Sequence, residues 1–270
     1  MLRPGLCSIT FHPLPVPDVL TLANEAGLEG IEWASKSHAP VGDLQTAAEV
    51  RSRTADAGLA VTSYGTYFRM GTGEDFQPVL DTAVALGAPI IRVWAGSQNY
   101  AQADAETIRG VVDETLNLAD RAQAAGVQLG FEHHDGTFTS RNAGAIAFAE
   151  AVQHPAVRFY WQPLKGFPPE YCRAGIAALQ PRLAHVHVFH WTFGSPEANT
   201  LDPEYVEPTA DTLFVHPLED GRALWESYLR PLAADPRELW ALLEFTKDNT
   251  VENFGKDART LREILQSLAC

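Results

Sequence analysis

Cysteine, lysine and positive charge are all scarce in this chain of 270 residues. Its three cysteines, Cys7, Cys172 and Cys270, are too few and too widely spaced for a disulfide framework or a cysteine-rich zinc site. Twenty Lys and Arg residues stand against 34 Asp and Glu residues, so the formal net charge is −14. Nucleic acids and anionic membranes attract clustered Lys and Arg, and the composition therefore argues against both as partners. We expect a small-molecule partner instead.

Long apolar runs are also absent. No stretch of about 18 apolar residues occurs, and the N-terminal segment MLRPGLCSITFHPLPVP has no apolar signal-peptide core. The expected location is therefore the cytoplasm, without a membrane span. Hydrophobic residues make up 46% of the chain, which is enough for a substantial core.

Eight short apolar segments recur along the chain, and each is typical of a buried β-strand. They are Leu6–Thr10, Gly30–Trp33, Ala60–Tyr64, Ile90–Trp94, Val127–Glu132, Val157–Trp161, Leu183–Phe189 and Leu239–Phe245. Stretches with helical periodicity and end caps separate them, such as Leu44–Ala57 between Asp43 and Gly58. Eight such units of roughly 34 residues predict a single (β/α)8 TIM barrel domain over residues 1–270. An open doubly wound sheet would need a glycine-rich loop after the first strand, and SITFHP has none.

One connection is much longer than the others. About 47 residues separate the seventh strand from the eighth, from His190 to Pro236. Residues Ser195–Gly221 are rich in Pro, Asp and Glu and predict a long loop, and Arg222–Leu232 predicts the helix that follows it. A long loop at the C-terminal face of a barrel usually forms a lid or a substrate wall. The alternatives are a surface embellishment or a contact in a homo-oligomer.

Chemistry-bearing residues stand at the ends of the last four predicted strands. Strand five ends in Glu132, with His134 two residues on; Gln162 follows strand six, His187 lies in strand seven, and Glu244 lies in strand eight. By the alternation of side chains along a strand, all five can point into the barrel mouth. Glu132, Gln162, His187 and Glu244 together form an oxygen-rich ligand set for a divalent cation such as Mn²⁺, Mg²⁺, Co²⁺ or Zn²⁺. Without a cation the two carboxylates would repel one another.

These strand ends, together with GIEW at 30–33, resemble the sugar phosphate isomerase/epimerase family of xylose isomerase-like TIM barrels over essentially the whole chain. The resemblance implies a divalent metal held by Glu, Asp, His and Glu on strands five to eight. Glu132, His187 and Glu244 match the first, third and fourth of these ligands. Gln162 stands where the family usually has Asp, and its neutral amide should weaken metal affinity.

Within this family the chain is most similar to metal-dependent 3-dehydroshikimate dehydratases. The stretches LCSIT, GIEW and IRVWAG and the spacing of Glu132 and His134 carry that similarity. It implies that Arg92, inward-facing on strand four, holds substrate oxygens. The alternative is an ion pair of Arg92 with Glu132 or Glu32 at the barrel mouth. Lys165 stands where many members have a His.

The remaining candidates surround the same predicted site. Lys165 would hold a substrate carboxylate or phosphate or protonate a leaving hydroxyl, and a solvated loop lysine is the alternative. His134 would donate to substrate or orient a metal ligand. Aromatic residues at the strand ends would form an apolar wall over a sugar ring, and those assigned to substrate binding are Tyr64, Trp94 and Trp191.

The predicted function is a metal-dependent isomerase or epimerase of a small 2-hydroxy carbonyl compound. Glu132 and Glu244, on opposite sides of the metal, would move a proton through a metal-bound enediolate, with the metal acting as a Lewis acid. With a hydroxyl β to the carbonyl, the same groups would expel water, and His134 or Lys165 would be the acid. A third hypothesis is a non-catalytic sugar-binding barrel whose metal site is weakened by Gln162.

Overall fold

Eight parallel strands close into a barrel in the computed structural model, which describes residues 1–164, 167–193 and 213–269. The strands in chain order are β1 (Leu2–Cys7), β2 (Gly30–Ala34), β3 (Ala60–Arg69), β4 (Ile90–Trp94), β5 (Gln128–Glu132), β6 (Val157–Trp161), β7 (Leu183–Val188), β8 (His190–Phe193), β9 (Leu213–His216) and β10 (Leu239–Leu243). β1 pairs with both β2 and β10, which closes the barrel of β1–β7 and β10. The predicted TIM barrel is confirmed.

Helices follow the barrel strands and cover the outside of the barrel. They are α1 (Val16–Glu25), α2 (Leu44–Asp56), α3 (Gln77–Leu86), α4 (Ala105–Ala124), α5 (Asn142–Ala151), α6 (Pro169–Leu179), α7 (Arg222–Ala233) and α8 (Val251–Leu268). Side-chain caps define several starts, because Asp43 accepts from the Thr46 amide and Asp104 from the Thr107 amide. In the described ranges, no helix has both the length and the apolar character to cross a membrane.

The first strand lies four residues earlier than expected. β1 begins at Leu2, and the predicted strand residues from Ser8 onward form a 3-10 turn, Ser8–Phe11. A buried hydrogen-bond network explains the turn: the Ser8 hydroxyl accepts from the Ala34 amide and lies 3.0 Å from Nδ1 of His38. Because Nε2 of His38 donates to the carbonyl oxygen of Leu14, Nδ1 of the neutral ring accepts from Ser8. This network joins β1 to β2 at the C-terminal face of the barrel.

Two further strand boundaries differ from the sequence prediction. β3 continues to Arg69 instead of ending at Tyr64, and it shifts register once against β2 and once against β4. β10 ends at Leu243, and Phe245 adopts a left-handed conformation with φ 52°. Aromatic residues rarely adopt that strained conformation, and an apolar run gives no sign of it. The run Leu239–Phe245 therefore predicts a longer strand than the structure has.

The connection after β7 contains a β-hairpin arm. β8 and β9 pair antiparallel, with His190 opposite His216, and Leu218–Gly221 forms a 3-10 turn before α7. The predicted long connection after the seventh strand is confirmed, and its last part, residues 213–221, contains a short strand and a 3-10 turn. Its remainder, residues 195–212, lies outside the described residues.

Glycines inside the barrel stand opposite large side chains. A Cβ on Gly130 would clash with the ring of Tyr160 and approach Cγ2 of Ile90 to 2.9 Å. A Cβ on Gly30 would lie 2.8 Å from the ring of Trp240. The barrel interior is thus filled by large side chains that occupy the space left by glycines on nearby strands, which is the layered packing expected of a small barrel.

We predict that Gly130→Ala destabilises the protein by about 1–3 kcal/mol, because the added methyl group overpacks the interior against Tyr160. Urea unfolding measures the change. Gly110→Ala is the matched control, since Gly110 is exposed in α4 with open space around its Cα. That substitution should stabilise the protein by about 0.5–1 kcal/mol. Equal effects of the two substitutions would contradict the packing argument.

His38 should make stability depend on pH. Burial lowers the pKa of His38, so the unfolded chain binds its proton more tightly than the folded chain does. Its contribution to the free energy of unfolding is therefore complete above the ordinary histidine pKa of about 6.5 and is lost as the pH falls below it. We expect urea unfolding at pH 7 and pH 5 to show a smaller acid loss in His38→Asn than in the unmodified protein. Equal losses would exclude His38 as the source.

Candidate metal centre

Four side chains from neighbouring strands converge at the C-terminal end of the barrel. Glu132 ends β5, Gln162 follows β6, His187 lies in β7, and Glu244 follows β10. Nδ1 of His187 is 3.2 Å from Oε1 of Gln162, to which it donates, 3.3 Å from Oε1 of Glu132, and 3.4 Å from Oε2 of Glu244. The structure thus brings together all four residues that the sequence indicated as metal ligands.

Arg92 on β4 enters the same cluster from the side. Its Nη1 lies 3.3 Å from Glu132, 3.6 Å from Glu32 and 3.9 Å from Glu244, and its Nη2 donates to the carbonyl oxygen of Thr66. Only 4% of Arg92 is exposed. A buried guanidinium among three carboxylates offsets part of their mutual repulsion.

The electrostatics of this cluster shift the pKa values of its members. Burial favours protonated carboxyl groups, but Arg92 and His187 lower the pKa of Glu32 to about 2 and hold the pKa of Glu132 well below its ordinary value. Burial favours neutral imidazole, but the carboxylates of Glu244 and Glu132 raise the pKa of His187 well above its ordinary value. The metal-free cluster therefore holds ionised carboxylates around two buried cations.

The donor atoms fit a divalent cation. One ligand atom each from Glu132, His187 and Glu244 lie within 4.8 Å of one another, all three residues are buried, and Oε1 of Gln162 adjoins them. Metal–ligand bonds of about 2.0–2.2 Å leave ligand atoms up to about 4.4 Å apart, so small side-chain movements would close a shell. A cation would replace the proton on Nδ1 of His187, because metal binding requires the neutral imidazole.

The cluster forms the floor of a cavity of about 140 Å³ at the barrel mouth. Its walls are mainly aromatic and consist of Tyr67, Trp94, Phe189, Trp191 and Phe245, with His133, His134 and Asp135 beside Glu132. The ring of Trp191 stacks on that of Phe189 with centroids 4.0 Å apart. Apolar walls above a polar floor are the usual composition of a small-molecule site.

His134 lies at the edge of this cavity. Its ring packs against Trp94 with centroids 4.6 Å apart, and its Nδ1 donates to the carbonyl oxygen of Asp135. Because Nδ1 carries this hydrogen, Nε2 is the ring atom through which neutral His134 accepts a proton.

The candidate substrate-binding residues have different positions. Trp191 and Trp94 line the cavity, and the indole N–H of Trp94 also donates to Oε2 of Glu132 at 2.6 Å. Arg92 also lines the cavity. It makes ion pairs with Glu132 and Glu32, which are the predicted alternative to a role in substrate binding. Tyr64 lies elsewhere: it is fully buried in the hydrophobic core, and its hydroxyl donates to Ala39. Lys165 lies outside the described residues.

Tyr67 and Phe245 reach the cavity wall for different structural reasons. Tyr67 stands three residues beyond the predicted end of its strand, and the longer β3 carries it to the cavity, where the Lys36 ammonium lies 3.7 Å from its ring centre. Phe245 follows Glu244 directly and reaches the cavity through its left-handed backbone, whose amide donates to Thr10. The sequence indicates Tyr67 as one of the aromatic residues near the strand ends, whereas strand alternation alone does not reveal the position of Phe245.

The chain matches the family model described as the xylose isomerase-like TIM barrel over residues 20–268. It therefore belongs to the xylose isomerase-like TIM barrel family. No curated protein matches the sequence significantly.

Solved structures share this fold at low sequence identity. The probable 3-DHS dehydratase AsbF from Bacillus anthracis has a TM-score of 0.78 and 18% identity, with 97% of this chain and 99% of that chain covered. A xylose isomerase-like barrel from Mycobacterium smegmatis, solved with magnesium, has a TM-score of 0.67 and 17% identity, covering 99% and 98%. D-psicose 3-epimerase has a TM-score of 0.64 and 15% identity, covering 99% and 100%. The similar folds thus include a dehydratase and an epimerase.

Removing the buried guanidinium tests the electrostatic account of the cluster. We expect Arg92→Met to lower the metal-free free energy of unfolding by about 3–5 kcal/mol, because it leaves buried carboxylates without their cation. Urea unfolding measures the loss. Arg3→Met is the control, since Arg3 pairs with Glu29 and Glu238 at the surface, and it should change stability by less than about 1 kcal/mol. Similar losses in both variants would contradict the account.

Proposed function

We propose that this protein is a divalent-metal-dependent isomerase or epimerase acting on a small 2-hydroxy carbonyl compound of the sugar type. The convergence of Glu132, Gln162, His187 and Glu244 beneath an aromatic-walled cavity carries this proposal. A divalent cation held by these four residues would supply Lewis acidity, which stabilises negative charge on a substrate oxygen and makes the adjacent C–H more acidic.

The two carboxylates would perform the proton transfers. Glu132 and Glu244 both line the cavity floor. Oε1 of Glu132 lies 3.3 Å and Oε2 of Glu244 lies 3.4 Å from Nδ1 of His187. A substrate seated between them would lose a proton to one carboxylate and receive a proton from the other, which isomerises or inverts the carbon concerned. The N–H of Trp94 holds Oε2 of Glu132, so the Oε1 oxygen remains for the ligand or base role.

The aromatic walls would hold the substrate and exclude water. The rings of Trp191 and Phe189 stack at the mouth, and Tyr67 lines the same cavity beside Arg92. Flat apolar surfaces of this kind pack against the C–H faces of a sugar, while the charged floor binds its oxygens. Exclusion of water strengthens the electrostatic interactions at the floor.

A second candidate function is the dehydration of 3-dehydroshikimate or a similar compound. His134 favours it, because this histidine lies in the cavity with Nδ1 donating to the carbonyl oxygen of Asp135; once its Nε2 has taken up a proton, the imidazolium is placed to pass that proton to a leaving hydroxyl. The similarity in fold to AsbF, at a TM-score of 0.78 against 0.64 for D-psicose 3-epimerase, supports the same candidate. In this reaction one carboxylate would remove the proton, and water would leave from the β carbon.

A metal and substrate screen tests both candidates. Protein purified without chelators should contain or take up about one equivalent of Mn²⁺, Co²⁺, Mg²⁺ or Zn²⁺ per chain, and Glu132→Ala should lose it. The loaded protein is then incubated with ketoses, aldoses and 3-dehydroshikimate in D₂O. Deuterium entering a carbon next to the carbonyl indicates isomerisation or epimerisation, and formation of an aromatic dihydroxybenzoate indicates dehydration. Failure to bind any of these metals would instead favour a non-catalytic sugar-binding barrel.

Glu244→Gln should lower turnover by about 100-fold or more, because the amide cannot move a proton. Glu238→Gln is the matched control: it makes the same chemical change just before the start of β10, where Glu238 is exposed and pairs with Arg3. Turnover of the control should equal that of the unmodified protein. Full turnover in Glu244→Gln would exclude the two-carboxylate scheme.

A further inference from the structure

Glu32 lies behind His187, on the side of the imidazole ring that faces away from the cavity. Its Oε1 is 3.7 Å from Nε2 of His187, a charge contact longer than a hydrogen bond, whereas Nδ1 of the same ring faces Gln162, Glu132 and Glu244. Glu32 is 2% exposed and lies beneath the residues that line the cavity. It is therefore placed to act on a cation through His187 and through its charge, without touching the cation.

The fold provides a specific place for this carboxylate. β2 and β3 shift register between Ile31 and Glu32, so that Glu32 pairs with Ser63. The Ser63 hydroxyl then donates to Oε2 of Glu32 at 2.8 Å. A Cβ on Gly65 would lie 2.7 Å from Oε1 of Glu32, so the absence of a side chain there leaves room for the carboxylate. The register shift, the Ser63 hydroxyl and the missing side chain at Gly65 together accommodate the carboxylate of Glu32.

The charge of the ligand set explains why such a carboxylate is needed. Gln162 is neutral, so the residues facing Nδ1 of His187 carry two negative charges, those of Glu132 and Glu244. Arg92 lies 3.3 Å and 3.9 Å from these carboxylates and offsets one charge. Glu32 adds one negative charge, so the described charged groups of the centre sum to −2 around a neutral His187. That sum balances a divalent cation.

We propose that Glu32 is the positioning residue of the metal centre: it keeps the N–H of His187 on Nε2, so that Nδ1 faces the metal, and it supplies the negative charge that Gln162 lacks. This inference rests on the proposed metal-dependent function. A carboxylate behind a metal-binding histidine orients the ring and raises its basicity, and loss of such a partner weakens metal affinity by about 10- to 100-fold.

Mn²⁺ binding to the purified full chain, measured by isothermal titration calorimetry, tests the proposal directly. Glu32→Gln should raise the Mn²⁺ Kd by about 10- to 100-fold, because the amide keeps the acceptor for Ser63 but loses the charge. Glu29→Gln is the control, since Glu29 is exposed and pairs with Arg3 at the other end of β2. Its Kd should equal that of the unmodified protein.

Restoring the charge at the ligand position separates an electrostatic role from a merely structural one. Gln162→Glu has nearly the same shape and adds one negative charge beside Nδ1 of His187. Combined with Glu32→Gln, it should bring the Kd to a value between those of Glu32→Gln and the unmodified protein, because the total charge is again −2 while the partner of Nε2 is still missing. A structural defect caused by Glu32→Gln would persist in the double variant.

The orientation of His187 has its own readout in the visible spectrum of the Co²⁺-loaded protein. Glu32→Gln should shift the Co²⁺ absorption bands, and Glu29→Gln should leave them unchanged. Ser63→Ala, which removes the hydroxyl that holds Glu32, should weaken Mn²⁺ binding in the same direction by a smaller factor. It also tests the proposal if Glu32→Gln fails to fold.

The outcomes distinguish this inference from the proposed function. If the unmodified protein binds Mn²⁺ and Glu32→Gln and Ser63→Ala bind it equally well, Glu32 has no positioning role and the metal-dependent function stands. If Glu32→Gln weakens binding and the double variant does not recover it, the charge argument is wrong. If the unmodified protein binds neither Mn²⁺ nor Co²⁺, the proposed function and this inference both fall.

Discussion

The balance of charge around His187 is the constraint on which the functional end of this barrel depends. Three carboxylates, from Glu32, Glu132 and Glu244, are buried within a few ångströms of one guanidinium and one imidazole. Ions removed from water are tolerated only where opposite charges and hydrogen bonds replace the lost hydration. The cluster would therefore couple stability to the proposed binding of a cation, since any group that changes its total charge would change both.

The barrel provides this cluster through local irregularities as well as through its regular repeat. The strand ends place Glu132, Gln162 and Glu244 around one point, as the repeat requires. The register shifts of β3 place Ser63 against Glu32, and the left-handed Phe245 turns the chain immediately after Glu244. Irregular backbone thus occurs next to the charged residues, where strain and bulges are commonly found in functional sites.

Periodicity and strand parity were sufficient to predict the barrel and the convergence of the four ligands, because both depend on alternation over short distances. Tyr64 shows where an aromatic residue at a predicted strand end was misleading: the register shift before Ser63 reverses the faces of the following residues, and Tyr64 enters the core. The antiparallel pair of β8 and β9 was not predicted, because the sequence of this connection shows no strand periodicity. The sequence offered an ion pair of Arg92 with Glu132 or Glu32 as one alternative, but that Arg92 contacts both of them, and Glu244 as well, required distances between strands that alternation does not contain.

The packing of large side chains against glycines beneath the cluster limits how a ligand could reach the proposed site. Tyr160, Trp240 and Leu242 occupy the space that Gly130, Gly30 and Gly5 leave, so the barrel below the cluster is filled. An ion or small molecule bound at the proposed site would therefore enter and leave through the mouth, past Trp191 and Phe189. Its residence time would then depend on these wall residues, and its equilibrium affinity mainly on the carboxylates beneath them. Substitutions at the mouth would accordingly change how quickly the proposed site exchanges a ligand more than they change which ligand it prefers.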